Sequence, residues 1–319
     1  MSGAAPMPHD AGGWAGVSPG IPGLGHPPGP PEAASWGWRP EILLPLSVLL
    51  ALFGLGWWRL RRHARPPAAT WRLCAYFTGI AAVGLALLSP LARLADDLFF
   101  VHMIQHLLLI KIAAPALLLA DPLPEILWSL PGPARLRAGR LLAPGAPLRA
   151  AWRAVTRMPL TWLTYALTLW LWHLPVAYDA ALSDRLLHDA EHLMFFGAGL
   201  LFWWPLISPA PHLRGPVHHA VRIVYLLLAA FHEAVLGLLL TLAPWVLYSS
   251  YALVPRVQGV SAQDDQTWGG IIMWGAGGAI DMLAVLWLLF RMLGKQERLS
   301  PSGPAIISPP SHSVSPQKG

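Results

Sequence analysis

The feature that most constrains this chain is a series of seven apolar runs, each about as long as a bilayer is thick. They fall at approximately 41–58, 71–90, 98–120, 160–176, 186–207, 217–243 and 267–291. At ~1.5 Å rise per residue, about twenty residues of helix match a ~30 Å hydrocarbon layer. Backbone groups inside that layer have no water to bond, so each run must satisfy its own N–H and C=O groups as a helix. The expected fold class is therefore all-α, a polytopic membrane helix bundle with seven transmembrane helices. Composition agrees: 12% of the residues are charged, about half the share in a soluble domain. The fourth run is the shortest and has room to extend backwards towards Arg157. Pro115 and Pro244 fall within or at the ends of runs, where neighbouring helices can accommodate them.

Three segments follow. Residues 1–39 are rich in Gly and Pro, without a basic start or an apolar h-region, and read as a disordered external tail rather than a signal peptide. Residues 40–292 form the seven-helix membrane domain. Residues 293–319, rich in Ser and Pro, read as a disordered cytoplasmic tail. No repeated unit marks the two halves as an inverted-repeat transporter.

Loop charges give the orientation. Arg59, Arg61, Arg62 and Arg65 follow the first run, and Arg135, Arg137, Arg140, Arg149, Arg153 and Arg157 follow the third. Arg214 precedes the sixth, and Arg291, Lys295 and Arg298 close the seventh. The alternate loops hold acids: Asp96 and Asp97, Asp179 and Asp184, Asp264 and Asp265. The positive-inside rule makes the first set cytoplasmic, so the N-terminus lies outside and the C-terminus inside. The same placement explains the net charge of +6 without nucleic acid. In the long third loop, Arg135-Leu136-Arg137 and Arg140-Leu141-Leu142 suit either a short amphipathic helix on the membrane surface or a charged tether.

This orientation sorts the histidines. His102 and His106 lie in the outer half of the third run, His173 at the outer end of the fourth, and His188 and His192 in the first turns of the fifth. Each of the two pairs is spaced i,i+4, which stacks both imidazoles on one helix face. All five sit within roughly 15 Å of the external surface at ~1.5 Å per residue. Five imidazoles from three spans at one depth are a metal or haem constellation; the bland alternative is a set of interfacial histidines. His9, His26, His63 and His312 lie in tails or a loop, and His212, His218 and His219 lie towards the cytoplasm.

Imidazole suits Zn, Cu, Fe and Ni, and thioether adds a preference for Cu(I). Met103 and Met194 stand beside the histidine pairs as candidate soft ligands, with Met273 in the outer half of the last run. Methionine is also a common core filler. Glu191 is a candidate acceptor for an imidazole N–H, a contact that fixes ring direction. The one Cys excludes a CxxC motif and a disulfide scaffold, and Cys74 sits near the cytoplasmic end of the second run, on the wrong side for a thiolate in the cluster. His188 to His192 also fits H-x-x-E-H, an inverted zinc-protease pattern. Nothing else supplies a protease cleft, and the chain reads as a non-enzyme.

Lys111 and Asp281 reach roughly 20 Å deep at ~1.5 Å per residue. An ammonium and a carboxylate at one depth in lipid are expected to form a buried ion pair, either a structural pin or part of a path. His232 and Glu233 sit nearer the outside and could extend that polar seam.

Taken together, several segments resemble the CtaG family of cytochrome c oxidase assembly factors, a multi-spanning bacterial membrane family. They are His102-Met103-Ile104-Gln105-His106-Leu107; Trp172-His173-Leu174-Pro175 with Tyr178, Ala180, Ala181 and Leu182; and His188 through His192 with Phe195, Trp203, Trp204 and Pro205. Asp265-Gln266, Gly269-Gly270 and Met273-Trp274 complete the set. The resemblance covers about residues 41–291. It implies a seven-span protein of the cell (inner) membrane that helps a haem–copper oxidase mature at the copper-delivery step. Its partners would be an oxidase subunit or other assembly factors, besides the lipid bilayer. Copper delivery through His102, His106, His173, His188 and His192 is the leading expectation. A b-type cytochrome with bis-His haem b is the second, and a copper permease the third.

Overall fold

The computed structural model describes residues 36–63, 68–215, 217–253 and 259–299, with side chains to Gly294. The tails expected at 1–39 and 293–319 lie outside these residues except for 36–39 and 293–299, and 293–299 continue the last helix to Leu299 instead of starting a disordered tail. Among the described residues the regular structure is all helical, with no strand. In chain order the helices are α1 Pro40–Arg62, α2 Thr70–Leu88, α3 Pro90–Asp97, α4 Phe99–Ala120, α5 Leu123–Ser129, α6 Gly132–Leu141 and α7 Pro147–Val155. Then come α8 Met158–Trp172, α9 Pro175–Ser183, α10 Arg185–Ile207, α11 His219–Leu242, α12 Ser249–Leu253 and α13 Ala262–Gly294.

Six of these, α1, α2, α4, α10, α11 and α13, are long and apolar enough to cross a membrane. The fourth apolar run becomes α8, which has 15 residues and so a length of ~22 Å. It stops at Trp172 because His173 ends the helix and Pro175 starts α9 in a new direction.

α4 is the most enclosed of the spans. α2 packs along one side of it, α10 along another, and the first turns of α13 against its start. α11 lies along α13, and α8 along α10. Small residues allow these approaches, as they do in membrane bundles generally. A Cβ on Gly270 would meet the Gly237 carbonyl at 2.7 Å, and one on Gly56 in α1 would meet the Glu125 carbonyl of α5 at 1.7 Å.

The ends of the helices carry the polar work. Asp184 caps α10 by accepting the Leu187 N–H at 3.0 Å, and Ser261 caps α13 through the Asp264 N–H at 3.0 Å. The start of α4 has no cap of its own. Asp265 supplies one from α13, accepting the Phe99 and Phe100 N–H groups at 3.0 and 2.9 Å. Its carboxylate meets the positive end of the α4 dipole and fixes the turn that carries His102.

Two stretches widen into π-helix, Leu108–Ala113 within α4 and Ile272–Ala276 within α13. Such interruptions cluster at functional sites. The Ile110 carbonyl in the first is taken by the Trp203 indole N–H at 3.0 Å. The arginine-rich third loop folds into α6 and α7. On α7, Leu148, Trp152 and Val155 recur at helical spacing and are exposed, with Arg149 and Arg153 beside them, as an interfacial helix requires.

Candidate metal centre

α4, α10 and the α8–α9 junction bring all five predicted histidines to one end of the bundle. On α4, His102 and His106 point the same way, with Nε2 atoms 2.9 Å apart. α10 faces them with its own pair. The His102 ring lies 5.1 Å from His188 and 5.6 Å from His192, and the His106 ring 5.4 Å from His192, centroid to centroid. One ligand atom from each of His102, His188 and His192 lies within 4.8 Å of the others, and the same holds for His102, His106 and Glu191. His188 is half-buried at the mouth; the other members of both sets are buried.

Hydrogen bonds fix the tautomers. The Tyr251 hydroxyl donates to the Ala95 carbonyl at 2.8 Å, so towards His102 it accepts, and the Nδ1–H of His102 donates to it at 2.9 Å. His102 Nε2 is then a lone pair, which accepts from His106 Nε2–H. This leaves His106 Nδ1 as a lone pair with no partner among the described residues. His173 donates Nδ1–H to the Leu169 carbonyl at 2.7 Å, and its Nε2 is likewise unpartnered. His188 Nε2 and both ring nitrogens of His192 are in the same condition.

Glu191 is fully buried, and neither carboxylate oxygen has a hydrogen-bond partner among the described residues. Its Oε1 stands 3.7 Å from His106 Nε2, too long for the N–H contact expected of it. Glu191 thus sits among the ligand atoms themselves. Buried polar atoms are normally satisfied; here a carboxylate and the imidazoles of His106, His173, His188 and His192 keep open atoms among the described residues.

The mouth is lined by charge and covered by aromatics. Arg39 pairs with Asp189 and, at 3.0 Å, with Glu41, which Arg185 also reaches at 2.6 Å. Burial pushes Asp96 of α3 up to about 6, with Asp97 adding to the shift. Tyr248, just before α12, lies over Tyr178 with the rings 4.1 Å apart, and Tyr251 on α12 reaches His102. Asp179 holds α12 in place by accepting the backbone N–H groups of Ser249 and Ser250, each at 3.1 Å.

Not every candidate joins the cluster. Met194 is 47% exposed; it lies two residues past His192, roughly 200° round the helix at about 100° per residue, and faces away. Met103 is buried and points inward. His173 lies on that inner side too, its ring 6.4 Å from His106. Cys74 is exposed on α2 near the opposite end. His63 and His212 bond backbone carbonyls at 2.8 and 2.9 Å, and His218 caps α11. His9, His26 and His312 lie outside the described residues.

Deeper in the bundle, Lys111 Nζ lies 2.9 and 2.8 Å from the two Asp281 oxygens and 2.8 Å from Glu233 Oε1. Glu233 also accepts the Tyr165 hydroxyl at 2.6 Å. The unit is a trio, with one acid more than a pair would need. His232 turns aside from it, edge-on to Trp162 at 5.1 Å.

The fold and site define a helical membrane protein with a buried cluster of metal-ligand residues at one end. Residues 51–295 match the family described as cytochrome c oxidase caa3 assembly factor (Caa3_CtaG), and the chain belongs to that family. It is 27% identical over 278 residues to uncharacterized proteins of Mycobacterium bovis and Mycobacterium tuberculosis. An uncharacterized protein of Mycobacterium leprae is 25% identical over 300 residues. These matches cover 82% of this chain but 40% of the relatives, so the chain spans less than half of their length. No solved structure matches it.

Proposed function

We propose that the chain is a membrane assembly factor for a haem–copper cytochrome c oxidase that binds copper through His102, His106, His188 and His192 and assists its delivery. The observation that carries this reading is the fully buried Glu191 with two open oxygens, set among open imidazole nitrogens. A buried carboxylate with no partner is costly to keep charged, and a bound cation removes that cost. Copper is the cargo here and not a resident cofactor. Imidazole donors with no thiolate hold it firmly enough to collect and loosely enough to give up.

Haem fits less well. The space beside His106 and His173 is about 30 Å³, against ~300–1,000 Å³ for pockets that take cofactor-sized ligands. The H-x-x-E-H hydrolase reading is weakened by the burial of Glu191, which leaves a peptide no approach. A permease would need soft ligands beyond Lys111, where α4 continues as Ala114 to Ala120 with none. We read the protein as a non-enzyme of the cell (inner) membrane, working with an oxidase subunit or with other assembly factors.

In the same reading α8 crosses with the six longer helices, locally thinning the bilayer, which gives seven spans with the cluster on the external side. Reporter fusions after Arg65, Arg149 and Lys295 should all report cytoplasm. An external signal from any of them overturns this orientation. In cells, His192→Ala should insert normally, lower oxidase activity and recover part of it with added copper. Full oxidase maturation by that variant contradicts the delivery role.

A further inference from the structure

Inward of the histidines the helices leave a cavity of about 30 Å³. Met103, His106, His173 and Met273 line it, with Lys111 and Glu233 on its floor. We propose that this cavity is a second, copper(I)-selective subsite, with His106 Nδ1, His173 Nε2 and the thioethers of Met103 and Met273 as its donors. The proposal rests on reading the outer cluster as a copper site and adds an inner position to it.

The donor set follows from the hydrogen bonds. Tyr251 and Leu169 leave His106 Nδ1 and His173 Nε2 as lone pairs, both buried and both unpartnered among the described residues. Each belongs to a residue that lines the cavity. Hydration would need ~10–15 Å³ per water, so the space suits one ion or a water or two. Two imidazoles with two thioethers are a soft set, which selects Cu(I) over the harder divalent ions. Met103 and Met273 are both buried, and Met273 lies in the π-helical stretch Ile272–Ala276.

Electrostatics favour a single positive charge there. Lys111 is already bonded to both Asp281 and Glu233, and at formal charges the trio sums to one negative charge. A monovalent ion beside it is therefore attracted. His106 joins the two positions: its Nε2 meets His102 in the outer cluster, its Nδ1 is buried and open, and the residue lines the inner cavity. A neutral imidazole offers one lone pair at a time, so when both positions are filled the tautomer drawn here gives His106 to the inner one and leaves His102, His188 and His192 to the outer one.

The test is a copper(I) titration of the purified full chain against a competing chelator, with X-ray absorption of the loaded protein. The expected result is two equivalents and a sulfur shell around copper. Met103→Leu/Met273→Leu should bind one equivalent and lose the sulfur shell, whereas His188→Ala/His192→Ala should lose the other equivalent and keep it. One equivalent with nitrogen donors alone, unchanged by the methionine substitutions, overturns the inner subsite and leaves the outer one standing. No bound copper overturns both. The wild-type sulfur shell decides the matter even where a variant fails to fold.

Discussion

Lys111→Met is expected to remove most of the folded protein. Lys111, Glu233 and Asp281 are all buried, and among the described residues the ammonium is the only cation bonded to the two carboxylates. Deleting it leaves two acids facing each other in a low-dielectric interior. Removing one member of a buried ion pair costs about 3–5 kcal/mol, a large part of the ~5–15 kcal/mol that holds a domain folded. Asp281→Leu should be milder, because Lys111 keeps Glu233 at 2.8 Å and Glu233 keeps the Tyr165 hydroxyl. The triple variant Lys111→Met/Glu233→Gln/Asp281→Leu should recover much of the loss, since no bare charge remains. Thermal unfolding in detergent measures all three. Equal losses in the two single variants, with the triple equal to their sum, would refute the trio as a charge-balanced unit.

Tyr251→Phe should weaken copper binding by about 10–100-fold, the usual effect of losing a group that orients a ligand. The hydroxyl accepts His102 Nδ1–H and so keeps Nε2 as the lone pair aimed at the cluster. Without it His102 is free to place its proton on Nε2, where it blocks the metal position. Tyr251 is a positioning residue, and the readout must therefore separate affinity from folding. The expected pattern is a weaker copper affinity at unchanged copper stoichiometry. An affinity equal to wild type would show that the His102 tautomer is set elsewhere.

Much of this arrangement was legible in the sequence. Runs of apolar residues mark spans because hydrocarbon thickness sets their length, and i,i+4 histidines mark a face because helix geometry does. Depth along the membrane can be counted from either. Azimuth cannot, and this explains the main departures. Of the two residues read as able to extend the Lys111–Asp281 seam, Glu233 does so by bonding Lys111, while His232 turns aside onto Trp162. Met194 shares the depth of the cluster but lies on the opposite face of α10. Glu191, assigned an N–H to accept, stands with its oxygens open among the ligand atoms.

Residues outside the periodic runs carried still less signal. Tyr251 comes from the short α12, in a connection with no apolar period to place it. Asp265 read as one of the loop acids, and only the packing of α13 on α4 shows it capping the helix that bears His102. The fourth run reads as continuing to 176 because its apolar residues go on past Trp172. The turn at His173 and Pro175 shortens the helix and delivers His173 to the inner side of the cluster.

The central claim is that the histidine cluster holds copper, and the most direct test is metal analysis of the purified protein, with its absorption spectrum, beside His102→Ala and His192→Ala. The account predicts bound copper in the wild type, no Soret band, and a clear loss of copper in both variants with the fold intact. A Soret band, or copper content unchanged by both substitutions, would contradict it.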